Sequence, residues 1–244
     1  MQSGFEPAYP LGFHKNYAGS LLSLAFLVAL AAPQAARLSP RARGAILLLM
    51  ASGMVATQSR GAMLGAALGA LLWFFAPRGK RVVSGRARVA GALVAVLFVG
   101  YTGYSVTAQL DSANAETNSV GVRRDVEAKT QELWRSSPVV GVGIRYFTTQ
   151  DLGQFARASN NALNSELAES GVLGATGFVL FHGTALVVLF RRRRSELGLA
   201  ALATVGCQLL HGMVDIYWSA GVSPLPWMLS GMALAAGSRV PRER

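Results

Sequence analysis

The sequence is short of charge. Asp, Glu, Lys and Arg make up 14% of its 244 residues, where a soluble globular domain carries about 25%. Acids are scarcer than bases, 12 against 23 Lys and Arg. Too few polar side chains are present to cover a water-facing surface, which excludes an ordinary soluble enzyme. A single cysteine, Cys207, excludes an internal disulfide framework and a cysteine-rich metal site. Also missing are the G-x-x-x-x-G-K-[ST] phosphate loop, G-x-G-x-x-G after a strand, H-E-x-x-H and G-x-S-x-G. No segment expected on the cytoplasmic side has the length of a nucleotide-binding domain. If the chain is a transferase, its donor is better read as an activated lipid than as a nucleotide sugar.

What is present is apolar: 52% of the residues are hydrophobic. A membrane-crossing helix needs about 20 mostly apolar residues, with about 17 as the minimum. Seven stretches qualify, near 17–33, 43–58, 61–77, 88–108, 171–190, 199–218 and 222–238. The fold class expected is therefore an all-α polytopic membrane protein of about seven transmembrane helices with one large extracytoplasmic loop containing short helices. Its parts are an N-terminal four-helix membrane segment (1–105), the loop (106–170) and a C-terminal three-helix membrane segment (171–244), integrated as one membrane domain. The second and third spans are separated only by Gln58-Ser59-Arg60 and read as a helical hairpin. Residues 1–16 lack a basic region followed directly by an apolar core, so they do not read as a cleavable signal.

The formal charge of +11 becomes a topology map once it is read by position. Arg37, Arg41 and Arg43 lie between spans one and two, and Arg78, Lys80, Arg81, Arg86 and Arg88 between three and four. Arg191 to Arg194 follow span five, and Arg239, Arg242 and Arg244 follow span seven. Because basic short loops stay cytoplasmic, the N-terminus is expected outside, the C-terminus inside and residues 106–170 outside. A nucleic-acid partner is not expected, since these residues form membrane-flanking clusters with little aromatic interleaving.

The outer segment holds eight of the twelve acids: Asp111, Glu116, Asp125, Glu127, Glu132, Asp151, Glu166 and Glu169. It is the only polar region large enough to build a site. Val122 to Ser136 has helical spacing, followed by Pro138 and the turn-prone Gly141-Val142-Gly143. Asn160 to Gly171 reads as a short amphipathic helix leading into span five.

Arg60 stands between two apolar helices, where it either snorkels to lipid phosphate or clamps an anion. Gly61, Gly65 and Gly69 follow at i, i+4 spacing and permit close helix packing. His211 and Asp215, four residues apart in span six, are expected to share a helix face. There they either pair to fix packing or handle a proton or ion. His182 reads as a hydrogen-bonded packing residue.

Several of these segments together resemble the O-antigen ligase and polysaccharide polymerase superfamily of bacterial inner-membrane proteins. Phe13-His14-Lys15-Asn16-Tyr17 resembles its Asn-containing box before a helix, and Thr57-Gln58-Ser59-Arg60-Gly61-Ala62 its T-x-S-R-G-A hairpin. Arg124 through Pro138 to Gly141-Val142-Gly143 resembles its arginine, helix and P-x-x-G-x-G pattern. Asn161, Glu169, Gly171 and Gly174 are similar to its H-N … E-x-G-x-x-G box, and His211 and Asp215 to its late H-x-x-x-D.

The resemblance implies transfer of a glycan from an undecaprenyl-pyrophosphate carrier to an acceptor sugar hydroxyl, such as a glycan or lipid A core, outside the cytoplasmic membrane. It implies no metal and no cofactor. Arg60 and Arg124, then Arg123, are the pyrophosphate-binding candidates, since planar guanidinium forks bind phosphate oxygens in pairs. Asn160, Asn161 and Glu169 are the catalytic candidates, with His14, Asn16, His211 and Asp215 in support.

The sequence departs from the family at Asn160, which stands where the family has the histidine proposed as its base. An amide orients a hydroxyl but accepts no proton at neutral pH. Either Glu169 or His14 takes that role, or the chain is a divergent polymerase, or it has lost activity. The family also has about a dozen spans, so a shortened chain, a mis-set start or a partner supplying helices is expected. The alternative class is a non-enzymatic transporter or an assembly subunit of a polysaccharide export system.

Overall fold

The computed structural model describes residues 14–75, 119–149, 159–215 and 224–237, with single positions at 93, 96, 99, 100, 103, 104 and 107. Phe13, the basic cluster from Arg78 to Arg88 and Arg239, Arg242 and Arg244 lie outside the described residues, as do Asp111, Glu116 and Asp151. Every regular element among the described residues is helical, and none is a strand. The helices are α1 (Lys15–Ala31), α2 (Pro40–Thr57), α3 (Arg60–Phe75), α4 (Ser119–Ser136), the single turn α5 (Tyr146–Thr149), α6 (Ala162–Arg192), α7 (Glu196–Gly212) and α8 (Pro224–Gly237). The described positions between 93 and 107 are helical too.

Six of these helices fall on six of the seven apolar stretches, and local chemistry sets their ends. The Ser39 hydroxyl accepts the Ala42 N–H at 3.2 Å, and Pro40 occupies the first turn of α2 where its missing N–H costs nothing. Ser195 caps α7 through Gly198 N–H at 3.0 Å. Asn161 caps α6 by accepting the N–H groups of Leu163 and Asn164 at 3.0 and 3.2 Å.

Among the described residues one helix, α6, is long and apolar enough to cross a membrane, while α1 and α3 are shorter apolar helices. The helices nonetheless turn large apolar side chains outward, among them Leu48, Leu49, Leu180, Phe181, Met228 and Met232. Such an outer surface calls for a non-aqueous neighbour.

Packing centres on α1, which contacts α2, α3 and α7, while α3 lies against α7. Leu24, Phe26, Leu27, Met54, Met63, Ala66, Ala67, Ala203 and Cys207 form the main core. The expected glycine stripe is what lets α3 and α7 meet. A Cβ on Gly61 would lie 2.4 Å from His211, one on Gly65 2.7 Å from Cys207 Sγ, and one on Gly69 3.1 Å from the Ala203 carbonyl. The partners descend as the glycines ascend, so the two helices run antiparallel. Gly19 of α1 packs on Ser59 and Ala62, which brings the start of α1 to the start of α3.

One expectation is corrected here. α7 ends at Gly212, and Val214 N–H turns back to the His211 carbonyl at 3.0 Å. Asp215 therefore leaves the helix, and it does not share a helix face with His211.

Candidate cation cluster and its loop

The α2–α3 turn shows why a short polar sequence suffices to deliver Arg60. Gln58 takes the left-handed conformation (φ 51°) and ends α2. The Thr57 hydroxyl donates to the Met54 carbonyl at 2.8 Å and accepts the Ser59 N–H at 3.4 Å. The chain reverses within two residues, and Arg60 opens α3.

Around Arg60, residues from four separate segments meet. Asp215 is buried, and one of its oxygens, Oδ2, accepts the Asn16 side-chain amide at 2.6 Å and Arg123 Nη2 at 3.2 Å. Arg123 Nη1 donates to the Val214 carbonyl at 2.6 Å, so the guanidinium is held at two points. Lys15 stands half-buried before the apolar part of α1. Burial lowers its ammonium pKa, and the charges of Arg60 and Arg123 lower it further, while Asp215 opposes them. Lys15 thus stands within electrostatic reach of two arginines, Arg60 and Arg123, and of one carboxylate, Asp215, which Arg123 contacts directly.

Beside the cluster, a loop and a broken helix fasten each other. At Gly171 (φ 64°, ψ −165°) α6 kinks, which frees backbone groups on both sides. Val172 and Leu173 donate to the Pro138 and Val139 carbonyls at 2.9 and 3.3 Å, while Val142 and Gly143 donate to the Ala168 and Glu169 carbonyls at 2.9 and 3.0 Å. The orphaned groups of the kink are satisfied. Both glycines are needed: Gly141 and Gly171 have positive φ, and a Cβ on either would fall within 2.5 Å of the opposing backbone.

Glu169 lies inside this interlock, with its side chain 3.5 Å from the Phe147 N–H that it accepts. One turn earlier, half-buried Glu166 has its carboxyl pKa raised by burial and by Glu169, against a hydrogen bond from Ser170. Across from it, Glu127 of α4 accepts the Ser159 hydroxyl on one oxygen and the Asn164 amide on the other.

Among the residues expected from sequence, the structure brings together Asn16, Arg60, Arg123 and Asp215. His14 is exposed and caps α1 by accepting the Asn16 N–H at 3.3 Å. Arg124 is exposed on α4, and Asn160 is partly exposed beside the α6 cap. His211 packs against Gly61, and no hydrogen bond joins it to Asp215 among the described residues. His182 is a packing residue as expected: it is buried, hydrogen-bonded to the Phe178 carbonyl at 2.8 Å, and ringed by Phe178, Phe181 and Trp227. Sequence reasoning missed Lys15 and Glu127 as site residues. The available signals were adjacency to Asn16 and the four-residue spacing from Arg123.

Fold and site together define an all-α protein with a cationic cluster at one end of its helices. The family described as O-antigen ligase matches residues 45–181, more than half of the chain, and the chain belongs to it. No curated protein matches the sequence. Membership places the chain among bacterial inner-membrane proteins of O-antigen polysaccharide synthesis. The matched region contains Arg60, Arg123, Arg124, Asn160, Asn161 and Glu169, while Lys15, Asn16 and Asp215 come from outside it.

Proposed function

We propose that the chain moves a glycan from an undecaprenyl-pyrophosphate carrier to a sugar hydroxyl at the outer face of the cytoplasmic membrane. The observation that carries this reading is the gathering of Arg60 and Arg123 around Lys15, with Asp215, the partner of Arg123, as the one carboxylate acting on that lysine. The excess positive charge suits the donor pyrophosphate before transfer, and it suits the leaving group better still, because cleavage adds negative charge there. Arg60 and Arg123 bind the phosphate oxygens, Lys15 adds a mobile charge, and Asn16 and Asp215 hold Arg123. Arg124, one residue along α4, meets the incoming donor from the exposed side. Asn160 orients the acceptor hydroxyl, which comes from a lipid A core or from a second glycan repeat.

In this reading the helices cross the membrane about seven times, with residues 106–170 outside. Antiparallel packing of α3 on α7 supports it, because it sets the α2–α3 turn and the end of α7 at one level. Arg43 and the Arg191–Arg194 run lie at the opposite helix ends, as a cytoplasmic basic face requires.

The test uses purified protein in lipid nanodiscs, supplied with an undecaprenyl-pyrophosphate-linked oligosaccharide and an acceptor. Release of undecaprenyl pyrophosphate is expected from the native protein and is expected to collapse in Arg60→Ala and Arg123→Ala. Undiminished release by both variants overturns the assigned roles.

A further inference from the structure

Transfer to a hydroxyl requires a group that takes its proton, and the carboxylates around the cluster differ in what they are free to do. Asp215 is buried among cations and holds Arg123, so protonating it would release the arginine that the reaction needs. Glu169 is committed to the loop interlock through its backbone and through Phe147. Glu166 hydrogen-bonds Ser170 of its own helix. His14 already uses Nδ1 to cap α1.

Glu127 is placed differently. It lies four residues after Arg123 on α4, so the two side chains share a face with Cβ atoms roughly 5–6 Å apart. Arg123 reaches the end of α7 and Glu127 the opening of α6. Ser159 accepts the Asn161 N–H at 2.9 Å and passes its own proton toward Glu127, while the Asn164 amide donates to the other oxygen. Among the described residues each carboxylate oxygen has one protein donor, which leaves it a lone pair for a further proton. The carboxylate is thus fixed against Ser159, the residue before Asn160, one helical turn from Arg123.

We propose that Glu127 is the base that accepts the proton of the acceptor hydroxyl, an inference that rests on the glycan-transfer reading above. The hydroxyl proton passes to a Glu127 oxygen as the hydroxyl oxygen bonds to the donor's anomeric carbon. The bond from that carbon to the pyrophosphate oxygen breaks, and its electron pair stays on the leaving group, where Arg60 and Arg123 meet it. Glu127 then returns the proton to water.

The experiment measures kcat, donor KM and the pH profile of undecaprenyl pyrophosphate release by the full chain in nanodiscs. Lipid A core glycolipid and a second lipid-linked repeat serve as acceptors in separate reactions. Glu127→Gln is expected to lower kcat by about 10²- to 10⁴-fold, to leave donor KM within about threefold, and to lose the acid limb of kcat/KM. Ser159→Ala and Asn164→Ala remove the tethers but keep the carboxylate, and are expected to lose less than about tenfold and to keep that limb.

The proposal is overturned if Glu127→Gln keeps kcat within threefold or retains the acid limb, or if the tether variants lose as much as it does. Should Glu127→Gln elute as aggregate, Glu127→Asp decides: a reduced kcat with the acid limb intact supports the base, and a flat profile overturns it. Native protein that releases nothing with either acceptor overturns glycan transfer itself, a result distinct from native activity that survives in Glu127→Gln.

Discussion

Arginines stand at both ends of the helices, and they keep different company. At the end formed by the close of α1 and the start of α7, Arg43 and Arg193 each lie against a helix-end carbonyl and an aromatic ring. Arg43 donates to the Leu30 carbonyl at 2.7 Å and lies 5.9 Å from the Trp73 ring, while Arg193 donates to the Phe190 carbonyl at 2.7 Å with its guanidinium 3.7 Å from that residue's ring. These contacts use helix C-terminal carbonyls, where a cation is favoured in any case. At the other end Lys15, Arg60 and Arg123 come from three different helices, and only Arg123 is paired directly with the nearby carboxylate of Asp215. The first arrangement anchors helix ends. The second concentrates unbalanced charge, which costs stability unless a ligand uses it. The same residue type thus differs in role according to whether its guanidinium rests on a carbonyl and a ring or stands among other cations.

The largest expected effect separates the two ends directly. Arg60→Ala and Arg123→Ala should each lower transfer by about 10²- to 10³-fold, as loss of a charge-stabilising donor does. Arg43→Ala and Arg193→Ala should stay within about threefold in the same assay. Equal losses at both ends would erase the distinction.

The loop interlock is the next test. Gly141→Ala and Gly171→Ala force positive φ and a backbone collision, and the strain alone is about 1–3 kcal/mol. Both should unfold earlier in thermal melts in detergent. Gly177→Ala and Gly183→Ala, on the open face of α6 with no atom within 4 Å of the added Cβ, should leave the melt unchanged or raise it, since alanine favours helix over glycine by about 1 kcal/mol.

A smaller change is expected at Lys15, whose charge adds to a site already holding two arginines. Lys15→Met should raise donor KM by about tenfold, equivalent to roughly 1.4 kcal/mol, with kcat changed less. Steady-state titration of the donor reads both, and an unchanged KM removes Lys15 from the site.

The smallest effect is a pH dependence at Glu166. Its pKa is raised in the folded protein, so the folded state binds the proton more tightly than the unfolded chain. That stabilisation is fully present below the ordinary carboxyl pKa of 4.5 and is lost as pH rises through the raised value. Glu166→Gln should therefore melt higher than native protein at neutral pH and match it in acid. A difference that grows as pH falls would contradict the burial argument.

Much of the fold was legible because apolar runs and caps act locally. The stretches at 17–33, 43–58, 61–77, 171–190, 199–218 and 222–238 became α1, α2, α3, the part of α6 beyond its kink, α7 and α8. The Asn160 to Gly171 segment became the part of α6 before the kink, opening at Ala162. The site was legible in part. Arg60 was found because a lone charge between apolar helices stands out, whereas Arg123 and Arg124 differ by one position and about 100° of helix rotation. Only packing chose Arg123, by setting it against Val214 and Asp215. The His211–Asp215 spacing misled because a four-residue interval has meaning only while the helix continues, and α7 stops at Gly212.

The sequence by itself determined an all-helical chain, the places of most helices, the glycine stripe of α3 and the family to which the motifs point. All follow from periodicity, composition and backbone preference, which act over a few residues. The tertiary structure alone decided that Lys15, Arg60, Arg123 and Asp215 meet, that Gly141 and Gly171 lock a loop to a broken helix, and that Glu127 faces the cap of α6. Those contacts join residues up to about two hundred positions apart, as Asn16 and Asp215 show. Such neighbours are set by how helices pack against one another, which no local pattern encodes.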